Sequence, residues 1–226
     1  MFSRPLSLIR LKSPENTNDA VKDFISKGNC TLLIGEKPLF GKTRNGKSDW
    51  KIMEGNLFMS IGLFNEDVKT GEIVFKVVVA VGELLSNWVE NLQYKWPNDI
   101  LVGGKKICGI LLEYNSGKLV IGIGINVLHS PYEWTTCLDK YHLISLNELP
   151  LQILASLRKH ESKPIEQIVA IWRSKAFLLG KEIDFNANGK LERGVFIDVA
   201  LDGALVLEDL HTKEQKKFYS GSICTT

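Results

Sequence analysis

The sequence predicts an α/β (α+β) chain: a body of mixed helices and strands followed by a small barrel of short strands. Three observations carry that prediction. Residues 100–127 read as three consecutive strands joined by tight turns. Apolar segments with helix signals flank this meander at 75–92, 150–160 and 164–179. From Lys181 the texture changes to short runs at 181–185, 193–200, 204–208 and 215–219. The expected division is residues 1–180 and 181–226.

Each element has a local reason. Leu6 to Leu11 alternates like a first strand. It lies in a stretch, Met1 to Lys12, with three basic residues and no acid, the charge pattern of a targeting segment. Ordered structure that starts at once leaves little to cleave. Thr17 to Lys27 reads as a helix, capped by Asn16 or Thr17, striped by Ala20, Val21, Phe24 and Ile25, and stopped by Gly28. Thr31 to Gly35 and Asn56 to Leu63 are strands, and residues 36–55 between them break all periodicity and form a loop. Phe75 to Leu92 is too long for a strand and reads as a buried helix. Gly103-Gly104 turns a hairpin between Ile100–Val102 and Lys106–Tyr114. Asn115 to Lys118 turns the chain again into Leu119–Val127. Pro150 and Pro164 suit the first turns of the last two helices.

Composition excludes several classes. The chain has 226 residues, 44% of them apolar, enough for one domain or one domain with a small appendage. Lys plus Arg number 28 against 26 Asp plus Glu, a net +2, which is no basic footprint for nucleic acid. No apolar run nears the ~20 residues of a spanning helix. Cys30, Cys108, Cys137 and Cys224 lack metal or disulfide spacing and read as reduced thiols of a cytoplasmic-type compartment. The four histidines form no ligand pair.

Three strings carry chemistry. Gly41-Lys42-Thr43-Arg44-Asn45-Gly46-Lys47-Ser48 matches the P-loop pattern as letters. Its context is wrong: no buried strand ends at Lys37-Pro38-Leu39-Phe40, and Asp49 to Gly55 is too short for the required helix. The physical content survives, because glycines let backbone N–H groups bend round an anion and cations add charge. Lys95-Trp96-Pro97-Asn98-Asp99 places a fixed turn before a strand. In Ile121-Gly122-Ile123-Gly124-Ile125-Asn126 the isoleucines share one face, and Gly122, Gly124 and Asn126 the other. Alternating glycines imply close approach by a helix backbone or a ligand.

Together, and in this order, these strings resemble the biotin–protein ligase family. Gly41 to Trp50 corresponds to its GRGRxGRxW loop, Gly55-Asn56-Leu57-Phe58 to its GNLY strand, Lys95 to Asp99 to KWPND, Gly104 to Leu111 to GKKxxGIL, and Gly122 to Asn126 to GxGxN. Asn16-Thr17-Asn18 matches its Ser-Thr-Asn, and the resemblance covers residues 6–226. It implies a mixed-sheet catalytic domain shared with lipoyl ligases and an SH3-like β-barrel at the C-terminus. It implies that biotin and ATP, with magnesium, give biotinyl-5′-adenylate, and that biotin then passes to a lysine of a biotin carboxyl carrier protein domain of a carboxylase. By position, Lys106, Arg44 and Asp99 carry the catalysis. Asn16, Thr17, Asn18, Gly41, Lys42, Thr43, Arg44, Lys106 and Gly109 bind biotin. Arg44, Lys47, Trp50, Asn98, Lys106 and Asn126 bind the nucleotide, with Trp50 as its cover and Asn126 near the adenine.

The cations offset repulsion between a carboxylate and an α-phosphate. Lys42 and Lys47 assist Arg44 and Lys106 in this, and Asp99 orients the acceptor amine or takes its proton. By alternation Lys106 shares a face with Cys108 and Ile110, so it alone of Lys105 and Lys106 points into the site. Magnesium ligands are not assigned, and the expected state is a monomer or homodimer. The resemblance departs at Asn16 (serine is usual), Pro38 (glutamine), Lys42 and Lys47 (arginine), Thr43 (glycine) and the extra Asp49. With about fifteen residues before Asn16, the chain leaves no room for the DNA-binding winged helix of many members. A lipoate or octanoate ligase on the same fold, a P-loop-type nucleotide-binding protein, and a binding protein without catalysis are the alternatives.

Overall fold

A computed structural model describes residues 1–43 and 50–224. The chain builds two sheets. The first has seven strands: β1 (Leu6–Leu11), β2 (Cys30–Gly35), β3 (Leu57–Phe64), β4 (Leu92–Lys95), β5 (Asp99–Val102), β6 (Lys105–Asn115) and β7 (Lys118–Ile125). Their order is β1-β2-β3-β7-β6-β5-β4, parallel for β1 and β2 and antiparallel elsewhere, a mixed sheet as expected. The Gly103-Gly104 turn has positive φ at both residues, which glycine adopts without strain.

Helices cover both faces unequally. α1 (Thr17–Lys22) lies on one face, where Val21 packs with Leu33 and Val120. α2 (Thr70–Leu85), α3 (Leu149–Glu161) and α4 (Ile165–Ser174) bury the other against Ile121, Ile123 and Ile125. Strand alternation in β7 thus separates a large isoleucine core from a glycine face on the side of α1.

The second sheet contains β8 (Glu182–Ala187), β9 (Lys190–Val199), β10 (Leu205–Asp209), β11 (Gln215–Phe218) and β12 (Ser222–Ile223), in the order β11-β10-β9-β8-β12. Among the described residues it is open: β11 and β12 are its edges, so the expected barrel does not close in backbone pairing. The sheet packs on the end of β4 and on α4 through aromatic contacts, Trp96 with Phe185 at 5.7 Å and Trp172 with Phe196 at 6.5 Å between ring centroids. One apolar core therefore runs through both sheets.

Several expected boundaries move. α1 stops at Lys22 and does not reach Lys27: Phe24 is exposed, and its carbonyl accepts the Thr31 hydroxyl at 3.0 Å. The expected helix 75–92 is α2, shifted to Thr70–Leu85, and β4, which no period announced, begins at the last residue of that segment. α4 ends at Ser174, short of residue 179. β4 is held on its outer side by Tyr94 N–H to Lys175 O at 2.8 Å and Phe177 N–H to Tyr94 O at 2.7 Å. Among the described residues no helix follows the 41–48 loop; residues 51–56 lead into antiparallel β3, which ends the P-loop reading. The four cysteines are free thiols.

Candidate active site

The site lies on the glycine face, above β6 and β7. Gly109 and Gly124 stand opposite each other in the β6–β7 ladder. A Cβ at Gly109 would come within 2.8 Å of the Trp50 ring, and one at Gly124 within 3.0 Å. A Cβ at Gly122 would come within 2.2 Å of Asn18 Oδ1. The alternating glycines therefore admit an indole and a side-chain amide, a third answer beside helix backbone or ligand. Trp50 is held there by a backbone bridge to Gly41, and its indole Nε1 is buried with no hydrogen bond among the described residues.

A cavity of about 270 Å³ opens around these groups. Its lining brings together Asn16, Thr17, Asn18, Gly41, Lys42, Thr43, Trp50, Asn98, Asp99, Lys106 and Gly109, residues far apart in sequence. Arg44 and Lys47, together with the extra Asp49, lie outside the described residues.

Lys106 anchors one end. Its Nζ is 2.7 Å from Asp99 Oδ1 and 5.0 Å from the centre of the Trp50 ring. The face expected by alternation is wrong. The β5–β6 register steps from Ile100↔Cys108 to Leu101↔Lys106, so Ile107 is the extra residue of a bulge. The bulge turns Lys106 onto the face of Gly109, whose Cβ would lie 3.1 Å from Lys106 Nζ, while Cys108 and Ile110 enter the core. Lys105 is exposed. The backbone of Lys106 is clamped from outside: its N–H donates to Trp134 O at 3.0 Å and its carbonyl accepts Thr136 N–H at 2.9 Å. Asn98 lies beside them, its Nδ2 donating to Ile110 O and its carbonyl accepting Ile110 N–H at 3.0 Å.

The other end is a polar cluster. Asn16 caps α1, accepting Asp19 N–H at 2.8 Å and donating from Nδ2 to Asp19 Oδ2 at 2.6 Å, so asparagine in place of serine serves as a cap. The Ser60 hydroxyl lies 2.6 Å from Asn18 Oδ1 and 2.8 Å from Thr17 Oγ1. Asn18 Nδ2 donates to Glu113 Oε2 at 2.8 Å. Lys42 Nζ donates to Glu113 Oε1 at 2.8 Å and Asp19 Oδ1 at 3.0 Å.

The charges follow from these contacts. Burial would raise Glu113, but hydrogen bonds from Lys42 and Asn18 outweigh it and hold the carboxyl below its usual range. Burial would also raise Asp19, and Lys22, Asn16 and Lys42 hold it well below that range. Burial would lower Lys42, but Glu113 and Asp19 push its ammonium up. Lys42 is thus held by two carboxylates in this structure.

Asn126 lies outside the cavity lining. It is buried, with Nδ2 donating to Thr136 O at 3.1 Å and Oδ1 3.4 Å from Asn56 Nδ2. Asn56 Oδ1 in turn accepts the N–H groups of Val127, Leu128 and His129. Sequence reasoning missed Ser60 and Glu113. The available signals were a polar residue inside an apolar strand, and the two-residue spacing from Gly109 through Leu111 to Glu113.

Asp99 and Lys106 also line a second cavity, of about 960 Å³, whose far wall comes from Phe177, Leu178, Glu182, Ile183 and Asp184. Lys95, opposite Asp99 in the β4–β5 ladder, lines it too, and burial pushes its pKa down. The Lys106–Asp99 pair therefore stands where the two spaces meet. Among the described residues no three His, Cys, Asp or Glu side chains gather as a metal site, and no helix is long and apolar enough to cross a membrane.

Comparison with known proteins agrees with this geometry. Residues 13–130 match the model of the Biotin/lipoate A/B protein ligase family. The bifunctional ligase/repressor BirA of Bacillus subtilis is 30% identical over 222 residues, covering 85% of this chain and 65% of its own length. The biotin–[acetyl-CoA-carboxylase] ligase of Mycobacterium tuberculosis is 25% identical over 198 residues, covering 78% of this chain and 73% of its own. The biotin protein ligase of Aquifex aeolicus, solved in complex with biotin and ATP, superposes with a TM-score of 0.83 at 25% identity, covering 96% of this chain and 97% of that one. The chain belongs to the biotin/lipoate A/B protein ligase family.

Proposed function

We propose that the chain is a biotin–protein ligase: it adenylates biotin with ATP and passes the biotinyl group to a lysine of a biotin carboxyl carrier domain. One observation carries the choice of acid. The cavity has a polar end, lined by Thr17 and Asn18 with the buried Ser60 hydroxyl behind them, and a cationic end at Lys106. Biotin has a ureido ring with both donors and an acceptor for the first, and a carboxylate for the second. The dithiolane of lipoate offers no hydrogen-bond donor, so the spare acceptor capacity of Asn18 Oδ1 and Thr17 Oγ1 would be covered without a partner. The alignment of Pro38 with the family's glutamine shifts more of ureido recognition onto this Asn–Thr–Ser cluster.

In the first step a biotin carboxylate oxygen attacks the α-phosphorus, and pyrophosphate leaves. Lys106 exchanges its contact with Asp99 for the carboxylate and α-phosphate, offsetting the charge that grows between them. Arg44 joins it by position in the family motif. Magnesium, bound to the nucleotide's phosphates, would offset their charge during this step. In the second step the acceptor amine enters through the larger cavity and attacks the acyl carbon. The C–O bond to AMP breaks, the amide forms, and Asp99 takes the proton. Trp50 covers the reacting groups and limits hydrolysis of the mixed anhydride.

The test is incubation with biotin, ATP and a carrier domain, followed by mass spectrometry of both proteins. The reading expects one biotinyl-lysine on the carrier. Transfer of lipoate in preference to biotin would place the chain on the other branch of the family. Tight biotin binding with no acylated carrier and no adenylate would make it a binding protein.

A further inference from the structure

We infer that Glu113 is a positioning residue for biotin binding: it latches the root of the glycine-rich loop, through Lys42, to the amide of Asn18. The inference rests on the proposed biotin site. Three segments distant in sequence meet at this one carboxylate: α1 brings Asn18, the loop brings Lys42, and β6 brings Glu113 itself. Each oxygen has its own partner, Oε1 with Lys42 Nζ and Oε2 with Asn18 Nδ2, both at 2.8 Å. Lys22 Nζ stands 3.5 Å from Oε1 and adds a second cation.

The contact to Asn18 settles which way its amide faces. With Nδ2 on the carboxylate, Oδ1 must turn to the Ser60 hydroxyl, 2.6 Å away, above the open backbone of Gly122. The contact to Lys42 ties this residue to β6, and Asp19 of α1 completes the hold at 3.0 Å. α1 has only six residues, too few to hold its place by helix propensity. Its side chains stay aligned because the sheet and this carboxylate hold them. Glu113 acts on substrate through Asn18 and Lys42, so its loss weakens biotin binding more than the chemistry at Lys106, which sits at the opposite end of the same strand.

Glu113→Gln keeps the shape but removes the charge, so one of the two contacts weakens. The measurement is biotin-dependent pyrophosphate exchange over a biotin titration, with calorimetric biotin binding in parallel. The expected result is a KM and a Kd for biotin raised about tenfold, as for loss of one charge-assisted hydrogen bond, with kcat within about twofold. Lys42→Gln should shift KM in the same direction, and it serves as the readout if Glu113→Gln fails to fold. The double variant should bind no more weakly than the worse single one, because both remove the same latch. Unchanged affinity in the Glu113 variant, a kcat that falls as far as KM rises, or additive losses in the double variant would overturn the latch. Wild-type protein that does not bind biotin would instead overturn the proposed function.

Discussion

Strand β6 carries a charged group at each end of the site, and the two are held in opposite ways. At one end Lys106 meets a single carboxylate, Asp99, and the face of an indole. At the other, Glu113 and Asp19 together grip Lys42, and an asparagine and a second lysine complete the cluster. The first arrangement leaves a cation that can exchange one partner for a substrate anion. The second leaves a cation whose partners already surround it. On the proposed function, the difference teaches that cations of one motif set are not equivalent: their partners, and not motif position alone, separate the one free to meet substrate from the one built into the wall.

Substitutions at the two ends should separate these roles. The largest effect is expected at the exchangeable end. Lys106→Ala should slow adenylate formation by about 10²–10³ while the fold persists, since one charge-assisted contact to a developing anion is worth about 3–4 kcal/mol; stopped-flow or exchange kinetics read this directly. Asp99→Asn should slow carrier acylation by about 10² or more, the contribution of a positioned base, and slow pyrophosphate exchange much less. Comparing the two half-reactions checks it.

At the held end the effects are smaller. Gly122→Ala drives a methyl to within 2.2 Å of Asn18 Oδ1. The resulting overpacking should cost about 1–3 kcal/mol in denaturant unfolding and raise KM for biotin. The latch also has a pH signature. Glu113 and Asp19 have folded values below their ordinary ones, so their stabilisation is present above the ordinary carboxylate range and is lost as pH falls through the lowered values. Lys42 is raised, so its contribution is present below its ordinary value and is lost only as pH rises through the raised one. The gap in melting temperature between wild type and Glu113→Gln should therefore be level near neutrality and close on acidification. The smallest effect is expected from Lys105→Ala, an exposed neighbour, at about 0.5 kcal/mol or less.

What was legible in the sequence was local. Two glycines at 103–104 and Asn-Ser-Gly at 115–117 announced the meander because turn chemistry is written in the turn residues themselves. Asn16 as a cap and the paired faces of β7 were readable for the same reason. The side of Lys106 was not, because a bulge is a property of two strands and alternation along one cannot reveal it. β4 hid at the end of an apolar run, and its outer edge is satisfied by residues 175–177, far along the chain. That the last sheet stays open depends likewise on non-local pairing. The motifs gathered the residues around the cavity but assigned Lys42 by type. Its carboxylate partners came from α1 and the far end of β6, where no motif pointed. Asn126 shows the same limit: its place in a glycine-rich string drew attention, while its amide holds backbone around Lys106.

The most direct test of the account is exchange of labelled pyrophosphate into ATP by the wild-type chain, with biotin or lipoate as the acid. Adenylation at a cavity with a polar end and a Lys106 end predicts exchange that requires biotin and stays near background with lipoate. Exchange at saturating lipoate equal to or faster than that with biotin would contradict the assignment of the polar end, and exchange with neither acid would contradict adenylation itself.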